Sequence, residues 1–586
     1  MLVVVAGAAV FLSISSPASS VEVVSGPIFF DSDQAFRWAT AMNQIYDERT
    51  LGSEDAAGVI DWFVEKLPEP DLAKIDEFEA RIGDRAVTLR NVAVVLQGTS
   101  REAVLIAAPR DMPTVVKVEP LAYASGTAML LELIQVFSAR PHQKTLIFLS
   151  TEDGTTGGLG IDRFLDTSPL ADNVSTILSF QELGRERTKA LTAGVTASQN
   201  TTPGWYVRLV GQVLGGAGLL LDVPGLLSQA ADHALSLSRG DQVAGLSRGI
   251  ASLQLTDKGS GNPTATGLAK QGAAMERLVL SLDTGAEAPP DPGTALLLRS
   301  GRYLTNRAIT MLAVLMVLPS LAALLIWLFS SQINARAALR HLRNLASFAI
   351  PLAFLFLLSY LLARAGLIPL YRFQVPTADG PGTEPRLAPT LILVLLGGAA
   401  FVLSRRFLGY FRPKESKAAT EMARLCAGFL GLLAGLILIL SRSPFLALPC
   451  LTAAWAWPLA TCFAEPVYTG AFWRHRLTSN APVLLLGLVA PVALYLYVAE
   501  GYGVGWLKAW WFLIVQTVSG AYGVRGPLAM VFIAAAFAVL LGAKRMRVVP
   551  IETLEITDEL SLLEPPVPRS RRKPRDTSRP PLSPWG

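Results

Sequence analysis

Residues 89–111, LRNVAVVLQGTSREAVLIAAPRD, hold two short apolar runs, NVAVVLQ and AVLIAA, which are separated by a turn around Gly98. Two more apolar runs follow, TLIFLS at 145–150 and TILSF at 176–180. Short, continuously apolar runs between turn residues predict strands that are buried on both faces of a sheet. These four runs therefore predict the central strands of one sheet.

Segments whose apolar residues have helical spacing lie before and between the predicted strands. Three segments have it: 33–46, 56–67 and 128–137. The first of them is predicted to bury Trp38, Met42 and Ile45 on one face. Strands that alternate with helices are typical of a sheet covered on both sides. The sequence therefore predicts a mixed α/β domain over residues 26–305, with a largely parallel sheet and helices on both faces.

The composition requires a second, membrane-embedded part. Hydrophobic residues make up 51% of the 586 residues and charged residues only 17%, which is too apolar for one soluble protein. The excess lies after residue 305, so we predict a polytopic helical membrane domain over 306–547. Its seven predicted spans are 308–330, 345–363, 387–404, 425–441, 444–463, 481–499 and 527–543.

Basic residues indicate the orientation of these spans. Arginines and lysines follow the first, third, fifth and seventh spans, so those loops and the tail are predicted to be cytoplasmic and residues 26–305 extracytoplasmic or lumenal. Trp506 to Tyr522 is an eighth apolar segment. Its tryptophans favour a re-entrant or surface-lying helix, and a true crossing with an external tail is the alternative.

The two ends of the chain also have recognisable composition. Residues 1–25 contain an apolar run and a small-residue stretch, which fit either an N-terminal anchor or a cleaved signal segment. Residues 548–586 are rich in proline and arginine and predict a disordered basic tail. No basic patch interleaved with aromatic residues is present, so nucleic acid is not an expected partner, whereas the lipid bilayer is.

Five sequence blocks in a fixed order resemble the two-zinc aminopeptidases of clan MH. The blocks are LGSEDAAGVIDWFVEKL at 51–67, LRNVAVVLQGTSREAVLIAAPRD at 89–111, ASGTAMLLELIQVFS at 124–138, KTLIFLSTEDGTTGGLGIDRF at 144–164 and ILSFQELG at 177–184. In that family, two zinc ions activate a water molecule and a glutamate acts as general base. The resemblance implies the same fold and a site at the ends of the strands.

Most metal-binding positions of that family carry other residues here. Asp111 occupies an aspartate position, but Pro109 and Gln242 stand where histidines are expected and Ala122 where the bridging aspartate is expected. Gly154 and Thr155 replace the glutamate pair, and Gln181 replaces the acid of the fourth strand. Two zinc ions need several anionic or imidazole donors, which one retained carboxylate cannot supply. The resemblance therefore implies a degenerate metal site.

Other acids near the strand ends leave a rearranged site open. Glu152 and Asp153 are the candidate catalytic residues, although both are more simply interpreted as loop acids before a turn. The candidate metal ligands are Asp111, Glu182, Asp241 and His233. His233, in QAADHALSL, is more simply interpreted as lying on a solvated helix face.

The layout is also similar to that of the attachment-protein subunits of the glycosylphosphatidylinositol transamidase, with a peptidase-like domain outside the cytosol and a multi-span bundle. We therefore expect a membrane-anchored, catalytically degenerate aminopeptidase-like protein without a cofactor. It would bind a peptide, a lipid-linked substrate or partner membrane subunits. A membrane-bound zinc metallopeptidase with a rearranged site is the alternative, and a transporter is the second alternative.

Overall fold

The chain folds into an α/β part followed by a bundle of apolar helices. The computed structural model describes residues 14–16, 22–82, 85–113, 119–153, 158–238, 240–285, 293–298, 301–329, 335–370, 382–408, 417–462 and 481–541. The predicted N-terminal anchor or signal segment lies mostly outside the described residues. The predicted basic tail lies outside them entirely.

Thirteen strands are formed within the described residues. In chain order they are β1 (Ile14–Ser15), β2 (Ala73–Ile82), β3 (Arg85–Leu96), β4 (Ala103–Pro109), β5 (Thr145–Thr151), β6 (Val174–Gln181), β7 (Arg185–Arg187), β8 (Ala190–Gly194), β9 (Leu220–Asp222), β10 (Ala251–Asp257), β11 (Ser260–Pro263), β12 (Thr294–Leu297) and β13 (Tyr303–Thr305).

Eight of these strands form one mixed sheet in the order β2-β3-β5-β4-β6-β10-β8-β9. The central strands β5, β4, β6 and β10 are parallel to one another. The β2–β3, β3–β5 and β10–β8 pairs are antiparallel. The predicted mixed α/β sheet is thus confirmed, with the parallel pairing concentrated at its centre. The carboxyl ends of four strands consequently meet at one edge of the sheet.

Eight helices accompany the sheet. They are α1 (Ser32–Ile45), α2 (Glu54–Glu65), α3 (Pro120–Ser138), α4 (Leu159–Thr167), α5 (Gly204–Gly216), α6 (Leu226–Leu235), α7 (Gln242–Ser247) and α8 (Ala265–Thr284). Helix α3 begins eight residues before the predicted start, with Pro120 in its first turn, where proline is tolerated because that amide needs no acceptor.

Alternating side chains of the central strands pack on the two faces of the sheet. Val104, Ile106 and Ala108 of β4 join the large core that α1, α3, α5 and α8 cover. Leu105 and Ala107 join a smaller core that α4 and α7 cover. Every residue of β4 and β5 is buried, which explains why their sequences show no polar alternation.

One prediction within the first helix is wrong. Trp38 and Met42 of α1 are buried as expected, but Ile45 is 57% exposed. Ile45 is the last residue of α1, where the chain leaves the helix and the periodic contact with the core ends. The edge strand β2 was not predicted from the sequence because KIDEFEAR lacks a continuous apolar run.

The second part consists of apolar helices. They are α9 (Asn306–Phe329), α10 (Ala335–Arg364), α11 (Leu387–Leu408), α12 (Lys417–Leu440), α13 (Pro444–Ala447), α14 (Leu451–Cys462), α15 (Ala481–Leu486), α16 (Val489–Gly501), α17 (Trp506–Val518) and α18 (Arg525–Leu541). Each of the seven predicted spans corresponds to helical structure.

Five described helices are long and apolar enough to cross a membrane by length and composition. One is α3, which is buried against the sheet, and the other four come from α9, α10, α11 and α12. Only 22% of the apolar window of α11 is buried inside the protein, and its outer face carries exposed leucines and valines. Such an apolar outer surface is compatible with a membrane protein.

Helix α6 connects the two parts. Its residues Ala234 and Leu235 belong to the apolar cluster of the bundle, and the Leu235 carbonyl oxygen accepts a hydrogen bond from the Tyr522 hydroxyl at 3.3 Å. Near the start of α6, the Ser228 and Tyr497 hydroxyls are 3.0 Å apart. Tyr497 and Tyr522 lie on opposite sides of α17 in the chain, so both flanks of α17 lie at the end of the bundle that contacts the α/β part.

Candidate functional site

Four of the six candidate residues follow the parallel strands directly. Asp111 lies after β4, Glu152 and Asp153 after β5, and Glu182 after β6. Their common edge is where the parallel strands of an open sheet end and where sites of such folds form. The structure therefore gathers these side chains from segments that are far apart in sequence.

Arg110 occupies the centre of this edge and was not singled out from the sequence. Its guanidinium donates hydrogen bonds of 2.6 Å to the carbonyl oxygens of Ser150 and Arg90. The same group lies 3.7 Å from Glu152 Oε1, and both side chains are almost fully buried. A charged residue directly after the fully apolar run AVLIAAP was the available signal. Arg110 thus joins the middle of β3 to the end of β5 by its own hydrogen bonds.

Glu152 is held within this arrangement. Its Oε2 accepts a hydrogen bond of 2.9 Å from the backbone N–H of Arg90. Burial raises the pKa of Glu152, and the neighbouring Arg110 opposes that rise. Glu152 is therefore a buried side chain with partners on β3 and after β4. The interpretation as a simple loop acid does not include these contacts.

A second buried arginine supports the same edge. Arg49 donates through Nε to the Arg110 carbonyl oxygen at 3.3 Å, and its own carbonyl accepts from the Met112 N–H at 2.9 Å. Burial lowers the pKa of Arg49 to about 10, while Asp111 opposes the change. Asp111 is itself buried. The loop around Arg49 offered no sequence signal for this contact.

Asp241 is the most unusual carboxyl group of the site. It is fully buried just before α7, and among the described residues neither carboxylate oxygen has a hydrogen-bond partner. Burial raises the pKa of Asp241 well above its usual range, and the charges of Asp111 and Asp153 raise it further. The negative charges of Asp111 and Asp153 thus add to burial in disfavouring the ionised form of Asp241.

The backbone brings Asp241 close to the turn after β5. Gly158 adopts a left-handed conformation with a φ of 71°, and a Cβ atom there would lie 3.2 Å from the Gly240 carbonyl oxygen and 3.6 Å from Asp241 Oδ1. Asp153 also has a left-handed φ of 64°, and its carbonyl oxygen accepts from the Gly158 N–H at 2.7 Å. The lack of a side chain at Gly158 therefore allows the backbone around Gly240 and Asp241 to approach it closely.

Glu182, a candidate metal ligand, takes part in an ion pair. Its carboxylate makes an ion pair of 2.9 Å with Arg185, three residues further along the chain. Next to it, Asp257 at the end of β10 accepts hydrogen bonds from the Arg185 N–H, Thr188 and Gln271. These contacts tie the loop after β6 to β10 and α8, so they are structural.

His233 does not belong to this site, and its predicted solvated position is wrong. The ring is buried on α6, where Nε2 lies 2.9 Å from Thr201 Oγ1. It stacks on Phe445 of the bundle with a centroid distance of 4.4 Å. Burial lowers the pKa of His233 to about 4, so the ring is neutral at physiological pH. The packing of α6 against the bundle overrides its otherwise polar sequence.

The substituted family positions lie where the resemblance implied. Pro109 ends β4, Gln181 ends β6, and Gln242 begins α7 next to Asp241. Ala122 is buried in the first turn of α3. Gly154 and Thr155 lie outside the described residues. The aligned positions thus gather near the same edge, although most side chains there are not metal donors.

A polar cleft of about 420 Å³ opens beside this edge. It is lined by the N-terminal turn of α2, by Ala86, Val87 and Thr88 of β3, and by Arg90 and Glu152. Ser53 caps α2 by accepting a hydrogen bond from the Ala56 N–H. A volume of this size is typical of small-ligand pockets, so the cleft can hold a short peptide segment.

A dinuclear zinc centre does not fit these residues. The donors at the strand ends are carboxylates, burial raises the pKa of one of them, Asp241, and the positive Arg110 lies beside Glu152. Zinc in proteins prefers thiolate and imidazole donors together with ionised carboxylates. Within the described ranges, no three side chains of the His, Cys, Asp or Glu types are arranged to hold a metal ion together.

The buried carboxyl of Asp241 gives a testable pH dependence. Because its pKa is higher in the folded than in the unfolded state, its contribution to stability is complete below the unfolded value of about 3.8 and is lost as the pH rises toward the folded value. The Asp241→Asn variant should therefore flatten the fall in stability as the pH rises above about 3.8, by about 1.4 kcal/mol per pH unit for one linked proton.

Thermal unfolding followed by tryptophan fluorescence across this pH range measures the effect. The exposed Asp172 provides the matched control, since Asp172→Asn removes a similar carboxyl without burial. Parallel pH profiles for wild type and Asp241→Asn would show that Asp241 is not protonated in the folded protein.

Comparison with known proteins gives a likeness in structure only. No family model matches the chain, and no curated protein matches it. Three similar solved structures are a glutaminyl cyclase from an Acidobacteriales bacterium, the zinc aminopeptidase BSAP from Bacillus subtilis and a leucine aminopeptidase precursor from Bacteroides thetaiotaomicron.

Their sequence identities to this chain are 14%, 12% and 14%, and their TM-scores are 0.36, 0.37 and 0.33. The matches cover 45%, 44% and 44% of this chain and 99%, 96% and 99% of the other chains, in the same order. The chain is thus similar in part to solved proteins named as glutaminyl cyclase and aminopeptidases.

Proposed function

We propose that this protein is a membrane-embedded, peptidase-like protein that binds a peptide segment without cleaving it. The segment would belong to a free peptide, a lipid-linked substrate or a partner membrane subunit. The observation that carries the proposal is the position of Arg110. Its guanidinium occupies the centre of the strand-end edge and lies 3.7 Å from Glu152.

Arg110 opposes metal chemistry at this position for an electrostatic reason. Two unit charges about 4 Å apart interact by roughly 4 kcal/mol at an effective dielectric constant of 20, and a divalent cation doubles that repulsion. A zinc ion bound by Glu152 would meet this positive charge directly. Glu152 also accepts the Arg90 N–H, which holds the carboxylate in place. These contacts favour a static binding surface over a hydrolytic centre.

The cleft beside Arg90 and Glu152 supports peptide binding. Its walls combine the N-terminal turn of α2, the edge of β3 and two charged residues. Backbone N–H groups at a helix N-terminus and a buried carboxylate offer partners for both ends of a peptide unit. The function that fits this chemistry is recognition of a short extended segment.

A bilayer location is supported by the surface and the connections of the bundle. Exposed leucines and valines on α9, α10 and α11 have the character of lipid-facing residues. Both flanks of α17 contact α6, so α17 begins and ends on the side of the α/β part. This favours a surface-lying α17 and seven crossings, with the α/β part extracytoplasmic and the tail cytoplasmic. The resulting layout is similar to that of the transamidase attachment subunits.

The experiment tests turnover and binding on one preparation. The purified full chain in detergent, supplied with zinc chloride, is expected to show no hydrolysis of leucine p-nitroanilide and to retain substoichiometric zinc. It is expected to raise the anisotropy of a fluorescein-labelled pool of random decapeptides. Thr88→Trp, which fills the cleft, should abolish this rise, because the indole would occupy the space of the peptide.

Thr99→Trp is the matched control, since Thr99 is exposed in the turn that follows the same strand. The proposal would be overturned if the purified protein bound zinc stoichiometrically and hydrolysed leucine p-nitroanilide at a rate that substitutions of Arg110 change. Equal peptide binding by wild type and Thr88→Trp would show that the cleft is not the peptide-binding site.

A metallopeptidase with a rearranged site is the second candidate, and one observation favours it. Asp241 is buried, has no hydrogen-bond partner in the part of the chain that the structure describes, and lies near the charges of Asp111 and Asp153. Carboxylate oxygens are donors for a hard cation, but these side chains would have to move closer together, since within the described ranges no three of them are placed to hold one metal ion. Metal-dependent turnover that is lost in Asp241→Asn and kept in Asp172→Asn would favour this candidate. The transporter alternative stays a prediction.

A further inference from the structure

The segment 220–227, LLDVPGLL, exposes apolar side chains on the α/β part. It runs from the edge strand β9 to the first turn of α6, and we call it the 220–227 tip. Leu220, Leu226 and Leu227 are 69%, 44% and 73% exposed. Three exposed leucines within eight residues are more than the single scattered apolar residues that protein surfaces normally carry. The tip therefore requires a partner or an apolar environment.

The tip is held rigidly. Gln229 is fully buried behind it and donates through Nε2 to the carbonyl oxygens of Pro224 and Leu297, at 2.6 and 3.0 Å. Its Oε1 accepts from the Leu297 N–H at 2.8 Å. These three hydrogen bonds fix the bend between β9 and α6. The leucines are consequently presented at a fixed position and not on a loose loop.

That position is level with the end of a bundle helix. Ser228, next to Leu227, has its hydroxyl 3.0 Å from the hydroxyl of Tyr497. Tyr497 precedes the end of α16 at Gly501 by four residues, which is one helical turn or about 6 Å. The tip therefore lies close to the C-terminal part of α16.

Aromatic residues surround this end of the bundle. Trp506 begins α17, is 61% exposed and donates its indole N–H to Glu500 at 3.1 Å. The Tyr495 hydroxyl donates to the Trp506 carbonyl oxygen. Indoles and phenols with one apolar face and one hydrogen-bonded polar group are enriched at the boundary between a bilayer and water. Their level marks the interface on this side.

We infer that the 220–227 tip is immersed in this interface, with Leu226 and Leu227 at the upper ends of the lipid acyl chains. The inference rests on the proposed bilayer location of the bundle. The tip contains no lysine or arginine, and its one charged residue is Asp222. Its attraction to lipid is therefore hydrophobic, and anionic headgroups are not needed.

Immersion of the tip would orient the α/β part. β9 is one edge strand of the eight-stranded sheet and β2 is the other. Seven spacings of about 4.8 Å separate them, so β2 stands about 30 Å away from β9 across the sheet. The cleft lies beside β3, the neighbour of β2, and would face the aqueous side, where a peptide segment can enter.

The experiment uses the full chain in vesicles of phosphatidylcholine alone, with and without bromine atoms near the top of the acyl chains. Cys426, Cys450 and Cys462 are replaced by alanine, and single cysteines carry an NBD fluorophore. Leu227→Cys tests the tip, Ile75→Cys on β2 is the aqueous control, and Leu395→Cys on the exposed face of α11 reports the bundle. Leu226→Cys serves as a second probe of the tip.

We expect brominated lipid to quench the label at positions 395, 226 and 227 and to leave the label at 75 unquenched. Quenching at 395 but at neither 226 nor 227 would overturn the inference while the bilayer location stands, and the leucines would then be a surface for a protein partner. Quenching at none of these positions would overturn the bilayer location as well. Equal quenching at 75 and 227 would also contradict the inference.

Discussion

Replacing Arg110 with methionine is expected to lower the stability of the α/β part by about 4 kcal/mol, which corresponds to a fall of about 12 °C in the thermal unfolding midpoint. The methionine fills similar volume but leaves the carbonyl oxygens of Ser150 and Arg90 without their side-chain donor. It also leaves Glu152 buried without its cationic neighbour. Tryptophan fluorescence during heating of the purified protein measures the midpoint.

A double-mutant cycle separates the charge effect from packing. The Arg110→Met, Glu152→Gln double variant removes both charges, and the glutamine keeps an acceptor for the Arg90 N–H. It should recover part of the lost stability, because no unpaired charge remains buried. Arg101→Met at an exposed position controls for the loss of one arginine. A double variant no more stable than Arg110→Met alone would contradict a coupling between Arg110 and Glu152.

Replacing Glu276 with alanine is expected to cost about 3 kcal/mol, or about 9 °C in the unfolding midpoint. Glu276 is fully buried on α8, and its carboxylate accepts from the backbone N–H groups of Phe29 and Phe30. It also pairs with Arg140, whose guanidinium lies over the Phe29 ring at 4.6 Å. The substitution removes all of these contacts together.

The same substitution should free the segment before α1. Limited proteolysis is expected to cut Glu276→Ala between residues 22 and 31 faster than wild type, because that segment loses its attachment to α8. Glu79→Ala, at an exposed position on β2, removes the same charge and should change neither the unfolding midpoint nor the cleavage rate. An unchanged cleavage rate in Glu276→Ala would show that other contacts hold the segment.

The central strands could be predicted because their burial on both faces requires apolar residues at every position, which the local sequence shows. AVLIAA and TLIFLS are apolar at every position, and the structure buries both faces of β4 and β5. Helix α3 was predicted from the helical spacing of its apolar residues, although its first eight residues were missed. The failure at β2 has the opposite cause: KIDEFEAR is an edge strand whose charged residues face water, so its sequence carries no apolar run.

The candidate site was predicted only in part. The positions of Asp111, Glu152, Asp153 and Glu182 followed from the rule that functional residues collect at the carboxyl ends of parallel strands. Their chemical states did not follow from it. Arg110, Arg185 and Asp241 change those states through contacts between distant segments, such as the 42 residues that separate Arg110 from Glu152.

His233 illustrates the same limit in a helix. The segment QAADHALSL has the polar composition of a solvated helix, and sequence reasoning treated it so. The structure buries the ring against Phe445, which belongs to a helix more than two hundred residues away. A contact of that kind leaves no periodic pattern in the local sequence.

The sequence by itself determined the two-part architecture, the central strands and the apolar helices, because hydrophobic burial imposes a local period on each segment. Only the tertiary structure decided which charges meet, which arginine lies beside Glu152, and how α6 joins the α/β part to the bundle. Those outcomes depend on distances between side chains from separate elements, and the energies of buried charges change with each neighbour.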